Sequence, residues 1–330
     1  MDGMDTTSNQ DIKKCQTDIK KIKKEISKTV VGQEKIINSA IKALLSNGHV
    51  LLEGVPGIGK TLLIRTLSKI SGGKFSRIQF TVDLLPTDIT GIQAYEENKG
   101  FYTVKGPIFA NFVLADEVNR APPKTQSALL EAMQEKQVTI AKHDITLPKP
   151  FLVMATQNPI EQEGVYNLPE AQKDRFLFKV LMEYPEENEE VEILRKNMTD
   201  QNFEDYDLKE VISTERILEM QKISKKIKID SEIEKYIIKL VQATRKPEKF
   251  NIDLGKYIKT GGSPRASIGM FMASRADALI RGKHFVNPQN VKNVAYEVLR
   301  HRILINYEGE AEGIKKDNII KEILSKVPVP

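Results

Sequence analysis

The chain has 330 residues, 40% of them hydrophobic and 29% charged, the balance of a globular protein with core enough for about two domains. Cys15 is its only cysteine, which excludes an intramolecular disulfide or a cysteine-rich zinc site. No apolar run approaches the roughly 18 residues of a membrane span, and the polar start MDGMDTTSNQ carries no secretory pattern, so a cytoplasmic protein is expected. Net charge is +5 from 50 basic and 45 acidic residues, too even to argue for nucleic acid on its own.

Residues 1–30 hold seven lysines and five acids, with Ile12, Ile19, Ile22 and Ile26 at helical spacing. The pattern predicts a polar tail and one amphipathic helix packed on the main domain rather than a basic binding arm. From His49 to Met182 short apolar runs alternate with helical stretches. The runs are His49–Glu53, Lys74–Val82, Asn111–Asp116, Phe151–Thr156 and Phe176–Met182. Nearly continuous apolar segments suit parallel strands buried on both faces. Between them, Gly59–Ile70 and Pro123–Glu135 place Leu63, Leu67 and Ile70, and Leu129, Leu130 and Met133, on single helical faces. Two stretches break the alternation and read as hairpins, Gly91–Lys105 around Asn98-Lys99-Gly100 and Gln137–Leu147 around Lys142-His143-Asp144.

After Pro185 the strand signal fades. Ser231 and Glu234 have capping-box spacing before Ile233, Tyr236, Ile237, Leu240 and Val241. Ser263-Pro264 and Asn287-Pro288 each read as a cap followed by proline at the first helical position. The expected organisation is a tail and helix (1–30), a three-layer α/β core with a mostly parallel five-stranded sheet (31–185), and a smaller all-α lid (186–330).

Four segments carry chemistry. Gly54-Val55-Pro56-Gly57-Ile58-Gly59-Lys60-Thr61 follows a predicted strand and opens a predicted helix, the context in which G-x-x-x-x-G-K-[ST] cradles phosphates. Backbone N–H groups and the helix N-terminus would face phosphate oxygens, Lys60 would reach the β- and γ-phosphates, and Thr61 would hold Mg²⁺. Leu62, next in the helix, belongs with this nucleotide-binding set. Asn111–Glu117 ends an apolar strand on two carboxylates, where ligands of such sheets sit. Asp116 is read as the Mg²⁺ ligand and Glu117 as the group that polarises the attacking water. Asn158, closing the run from Phe151, could orient that water; a turn-closing Asn before Pro159 explains it equally. Arg175 stands where an arginine finger could reach a neighbouring subunit's nucleotide; the bland alternative is an ion pair with Asp174 or Glu170. Arg265 lies in the first turn of a capped helix, where a cation opposes the helix dipole, so a nearby anion such as phosphate is expected.

With these motifs in place, the chain resembles the MoxR group of AAA+ ATPases from Val31-Gly32-Gln33-Glu34 to Leu299-Arg300-His301-Arg302-Ile303. The resemblance runs through Gly48–Thr61, Asp83–Gly91, Leu114–Glu135, Ala155–Pro159, Leu168–Phe176 and Gly262–Ala266. It implies Walker A at Gly54–Thr61, Walker B at Asp116-Glu117, sensor 1 at Asn158, the arginine finger at Arg175 and sensor 2 at Arg265. Val31, Gly32 and Gln33 would flank the adenine. The hairpins resemble the helix-2 insert and the pre-sensor-1 insertion. The resemblance further implies ATP and Mg²⁺, a homohexameric ring, chaperone-like remodelling of a protein client, and a partner with a von Willebrand factor A domain. Whether Arg265 acts on its own subunit's nucleotide or a neighbour's stays open, and Arg120 is flagged as an interface residue without a nucleotide role. The alternatives are an MCM-like nucleic-acid motor and a magnesium-chelatase-type motor subunit. Against the first, the second hairpin offers only Lys142 and His143 and no stacking aromatic, so nucleic acid is not the expected partner. A GTPase would need an N-K-x-D motif that the chain lacks.

Overall fold

Two helices lead into the sheet, α1 (Asn9–Thr29) and α2 (Glu34–Leu45). Strand β1 (Val50–Gly54), helix α3 (Lys60–Ile70) and strand β2 (Phe75–Gln79) follow. The short helix α4 (Pro86–Thr90) opens an antiparallel hairpin of β3 (Gly91–Glu96) and β4 (Gly100–Lys105). Then come β5 (Phe112–Asp116), α5 (Pro123–Glu135), a second hairpin of β6 (Gln137–Ile140) and β7 (His143–Thr146), β8 (Leu152–Gln157), α6 (Glu170–Lys173) and β9 (Phe178–Met182). The remainder holds α7 (Glu187–Asn197), α8 (Thr214–Lys226), α9 (Ser231–Arg245), β10 (Ile258–Thr260), α10 (Pro264–Ile280), α11 (Pro288–Leu299), β11 (Leu304–Ile305), α12 (Tyr307–Ala311) and α13 (Lys316–Lys326). This computed structural model describes residues 8–54, 60–98, 100–158, 165–182, 184, 186–197 and 203–330.

The five apolar runs form one sheet in the order β2-β5-β8-β1-β9, and all of its pairings are parallel. Its strands alternate between two cores, as a period of two requires. Val50, Leu52, Phe112, Leu114, Leu152 and Met154 face α2 and α3. Leu51, Val113, Ala115, Val153 and Ala155 face α5. Burial on both faces is why these runs read as continuous rather than alternating. The carboxyl ends of β5, β8 and β1 then lie side by side, the crevice where ligands of parallel sheets bind.

Helix α1 packs against α3 of the sheet unit and against α8 and α10 of the helical unit. Ile12, Cys15, Ile19, Ile22 and Ile26 are buried in the same apolar cluster as the lid. Each fully buried isoleucine contributes about 1.5–3 kcal/mol, so the four together hold the helix docked despite its lysines. The Cys15 thiol is pushed up to about 11, chiefly by burial. Arg216 of α8 bonds Asp18 at 2.9 Å beside it.

Three local details differ from expectation. The cap of α9 is Asp230, whose carboxylate accepts the Glu232 N–H at 2.9 Å; Ser231 is already helical, because two good capping residues stand in tandem and the first takes the position. Helix α4, within Asp83–Gly91, has too few residues for periodicity to register. The lid also contains an antiparallel ladder of β10 and β11, again too short to leave a pattern. Caps at Ser263 and Asn287 form as predicted, Asn287 in a reciprocal capping box with Asn290.

His49 enters β1 fully enclosed. Its Nδ1 accepts the Val153 N–H at 3.0 Å, which fixes the proton on Nε2 toward the Met133 carbonyl at 3.2 Å. Burial, aided by the charge of Lys136, pushes its pKa down to about 3. A folded-state pKa below the unfolded value means that the unfolded chain binds the extra proton as pH falls. Stability from this group is therefore present above about pH 6.5 and is lost progressively toward pH 3. Replacing His49 with Gln should remove about 1.4 kcal/mol per pH unit of the stability slope between about pH 6 and pH 4. Urea unfolding across that range measures it; an unchanged slope would contradict the assignment.

Candidate functional site

Helix α3 begins at Lys60, inside the phosphate-loop motif. The assignments of Pro56, Gly57, Ile58 and Gly59 lie outside the described residues, as does Val55. Gly54 is needed at the end of β1: a Cβ there would stand 2.5 Å from the Met182 carbonyl oxygen. Lys60 Nζ donates to the Gly54 carbonyl at 3.3 Å. Burial lowers its pKa, while Asp116 and Glu117 act in the opposite direction. Thr61 and Leu62 complete the first turn of α3, with the Leu62 side chain packed on the apolar core. The Val31-Gly32-Gln33 segment joins α1 to α2 and lies against α7. Gly32 has φ +63°, and a Cβ on it would clash with the Glu189 carboxylate.

At the end of β5 one hydroxyl ties the Asp116 carboxylate to the Glu117 backbone. Thr156 Oγ1, on neighbouring β8, donates to Asp116 Oδ1 at 2.6 Å and accepts the Glu117 N–H at 2.8 Å. Glu117 has left-handed backbone (φ 58°, ψ 49°), which turns it away from the strand direction. Its Oε2 accepts from Gln79 Nε2 at 2.8 Å and pairs with Arg120 Nε at 3.1 Å. Asp116 Oδ2 accepts from Arg77 Nη2 at 2.7 Å, and Arg77 also donates to Gln79 Oε1. Asn158 follows β8 at the same edge, its carbonyl 3.5 Å from Asn119 Nδ2. Lys60, Thr61, Asp116, Glu117 and Asn158 thus gather at the carboxyl ends of adjacent strands.

Arg175 and Arg265 do not join them. Arg175 precedes β9 and so stands at the opposite, entry edge of the sheet, where Leu177 N–H bonds the His49 carbonyl. It is exposed, and neither acidic neighbour pairs with it. Glu170 holds Lys173, and Asp174 accepts from Arg302 Nε at 2.7 Å and Ser263 Oγ at 2.8 Å. Arg265 also belongs to this group: its Nη1 lies 3.9 Å from Asp174 Oδ2. The anion beside the first turn of α10 is, within one chain, the Asp174 carboxylate.

Known proteins share this architecture. Residues 49–178 match the ATPase family associated with various cellular activities (AAA), and residues 254–323 match the AAA lid domain. Chaperone MoxR1 of Mycobacterium tuberculosis is 47% identical over 93% of this chain and 81% of its own length. Protein MoxR of Methylorubrum extorquens is 31% identical over 94% of each. The chain belongs to the MoxR family of AAA+ ATPases. A crystal structure from Cytophaga hutchinsonii, of a protein provisionally described as an ATPase, superimposes at TM-score 0.91 with 47% identity over 97% of both chains. That fold is a parallel-sheet AAA core carrying a helical lid, as in this MoxR-family chain.

The donor set fits a nucleotide with a hard divalent cation. A lysine at a helix N-terminus, its pKa lowered by burial, is a group that suits a phosphate anion. Thr61 hydroxyl and Asp116 carboxylate are oxygen donors of the kind Mg²⁺ takes together with phosphates and water. Among the described residues no cluster of three or more His, Cys, Asp or Glu side chains stands ready as a metal cage. No described helix is long and apolar enough to cross a membrane.

Sequence reasoning missed Arg77, Gln79 and Thr156. The first two had a signal: they flank buried Ile78 in β2 and so share the face beside β5. Thr156 had none beyond its place in A-T-Q-N-P. Its loss should matter more than the Arg77 contact. Thr156→Val strands the Glu117 N–H and one Asp116 oxygen, costing about 1–3 kcal/mol, whereas the half-exposed Arg77–Asp116 pair contributes about 0–1 kcal/mol. Urea unfolding of Thr156→Val and Arg77→Ala at equal salt should rank them in that order.

Proposed function

We propose that this chain hydrolyses ATP as a ring-forming, chaperone-like remodeler of protein complexes. The observation that carries the reading is the division of its charged groups. Lys60, Asp116, Glu117 and Asn158 lie at the carboxyl ends of the strands, whereas Arg175, beside Glu131 and Glu135 of α5, and Arg265, beside Asp174, both lie away from them. A single copy therefore holds both halves of a composite site, and two copies complete it. In this reading Val31, Gly32 and Gln33 flank the adenine, and the phosphates lie on the Gly54–Thr61 segment with Lys60 at the γ-phosphate. Thr61 and Asp116 hold Mg²⁺, which when bound neutralises phosphate charge and orients the transferring group. Glu117 accepts hydrogen-bond density from the attacking water and draws its proton as the oxygen approaches phosphorus. Asn158 orients that water, and ADP leaves in line. Arg175 and Arg265 of the next copy stabilise the charge on the equatorial oxygens. Both arginines thus act across the interface.

Motion of the lid would pass to a client through the hairpins. The β3–β4 hairpin exposes Ile92, Tyr95, Phe101, Tyr102 and Val104, with Tyr95 and Phe101 rings 5.1 Å apart; an apolar patch of this kind suits a protein partner. A six-membered ring, a cytoplasmic setting and a partner with a von Willebrand factor A domain belong to the same proposal.

The test is concentration dependence. Specific ATPase activity should rise with protein concentration through the assembly range. Arg175→Ala should lose about 10³–10⁵ in kcat while ATP binding persists, and Glu117→Gln should bind ATP without turnover. Activity flat on dilution through dissociation would refute the composite site. Nucleic acid, rather than protein, captured by ATP-loaded Glu117→Gln would transfer the reading to a nucleic-acid motor.

A further inference from the structure

Three consecutive residues after α11 grip the segment that carries Arg175. Arg300 Nη1 donates to the Lys179 carbonyl at 2.9 Å and forks onto Asp317 at 2.7 Å. His301 Nε2 bonds the Phe176 carbonyl at 3.0 Å. Arg302 spends all five of its N–H donors. Its Nε meets Asp174 Oδ1 at 2.7 Å, and Nη1 meets the carbonyls of Val298 at 2.6 Å and Leu177 at 3.1 Å. Its Nη2 meets the carbonyls of Phe176 at 2.7 Å and Asp174 at 3.1 Å. The carbonyls on both sides of Arg175 are therefore held by one buried guanidinium, whose side chain is 3% exposed. The other Asp174 oxygen takes the hydroxyl of Ser263, the cap of α10, and lies 3.9 Å from Arg265.

Leu177 packs on the lid in the same apolar cluster as Val298 and Ile303, and the hydrogen bonds add direction to that contact. A cavity of about 260 Å³ separates α6 from the lid here, lined by Glu170, Asp174, Gly261, Ser263, His301 and Arg302. The orientation of finger segment and lid beside this cleft is fixed by those directed hydrogen bonds. A buried, forked arginine is stiff because its geometry admits few alternatives.

We infer that Arg302 and Asp174 are positioning residues that present Arg175 and Arg265 as one unit to a neighbouring subunit's nucleotide. Neither touches that nucleotide. Arg302 fixes the backbone on which Arg175 is mounted, and Asp174 ties that backbone to the first turn of α10 that carries Arg265. The inference rests on the composite-site reading above.

Lysine at 302 keeps the charge and one bond to Asp174 but cannot reach the four carbonyls, and Asp174→Asn keeps shape without the ion pair. Each should lower kcat on the order of 10²-fold, the scale of roughly 1 Å misplacement, with KM for ATP within about twofold. Thermal melting confirms folding, and Asp174→Asn, the near-isosteric change, carries the test if Arg302→Lys does not fold. The deciding measurement is mixing. Glu117→Gln subunits retain an intact Arg175 face but cannot hydrolyse. Mixed one to one with Asp174→Asn or Arg302→Lys, they should restore turnover to about a quarter of the wild-type rate, the share of ring interfaces that pair a competent Glu117 side with an intact face. Arg175→Ala with Glu117→Gln is the control. Wild-type kcat in both variants overturns the inference, as does loss without recovery on mixing when the control recovers. If the control itself does not recover, the composite site fails and the inference falls with it.

Discussion

A cation at the start of a helix is doubly disfavoured, by the helix dipole and by withdrawal from water, and Lys60 suffers both. The rest of the site follows from that constraint. Two carboxylates must stand close enough to offset the charge, and yet leave room for phosphate. The parallel sheet supplies them because β5 ends within reach of β1, with β8 between the two strands. Two adjacent carboxylates repel each other in turn. They are separated by the left-handed turn at Glu117 and individually satisfied, Asp116 by Thr156 and Arg77, Glu117 by Gln79 and Arg120. Each partner comes from a neighbouring strand or from the turn itself, so the electrostatic balance depends on strand register: a one-residue slip would send Thr156 to the other face.

The lid depends on the same sheet in a different way. Its apolar residues are continuous with α1, α2 and one face of the strands, so burial holds the halves together broadly. Where the lid meets the segment before β9, the guanidinium of Arg302 adds directed bonds to the apolar contact of Leu177. Burial is non-directional and fixes proximity; hydrogen bonds are directional and fix orientation. Lys42 and Ser39 of α2 hold Glu297 of α11 in the same manner on the opposite flank.

Much of the fold was legible. The five apolar runs became the five strands, and the leucines of α3 and α5 and the isoleucines of α1 turned inward, because long-range burial imposes a period that survives in sequence. The strand-end positions of Lys60, the Asp116-Glu117 pair and Asn158 were readable because each follows an apolar run at fixed spacing. What was not legible has equally physical reasons. Thr156 looks like any strand threonine until β5 lies beside it. Arg302 looks like a surface cation; nothing local says that three of its carbonyl partners lie more than a hundred residues upstream. Asp174 was read only as a neighbour for Arg175, whereas its partners come from two separate parts of the lid. The two-residue β11 and the short α4, which buries only Ile89, bury too little to impose a pattern.

The interior position of Cys15 carries a practical consequence. Its thiol is enclosed between α1 and the lid, beside Arg216, with burial raising its pKa to about 11. Thiol reagents attack the thiolate, and such a group offers almost none at neutral pH. The folded chain is therefore already silent toward maleimide dyes without removal of its native cysteine. A cysteine introduced on the exposed β6–β7 turn would take label alone, giving each subunit one fluorophore at a known place. Conversely, labelling of Cys15 itself would report the undocking of α1, making the native residue an internal gauge of local opening.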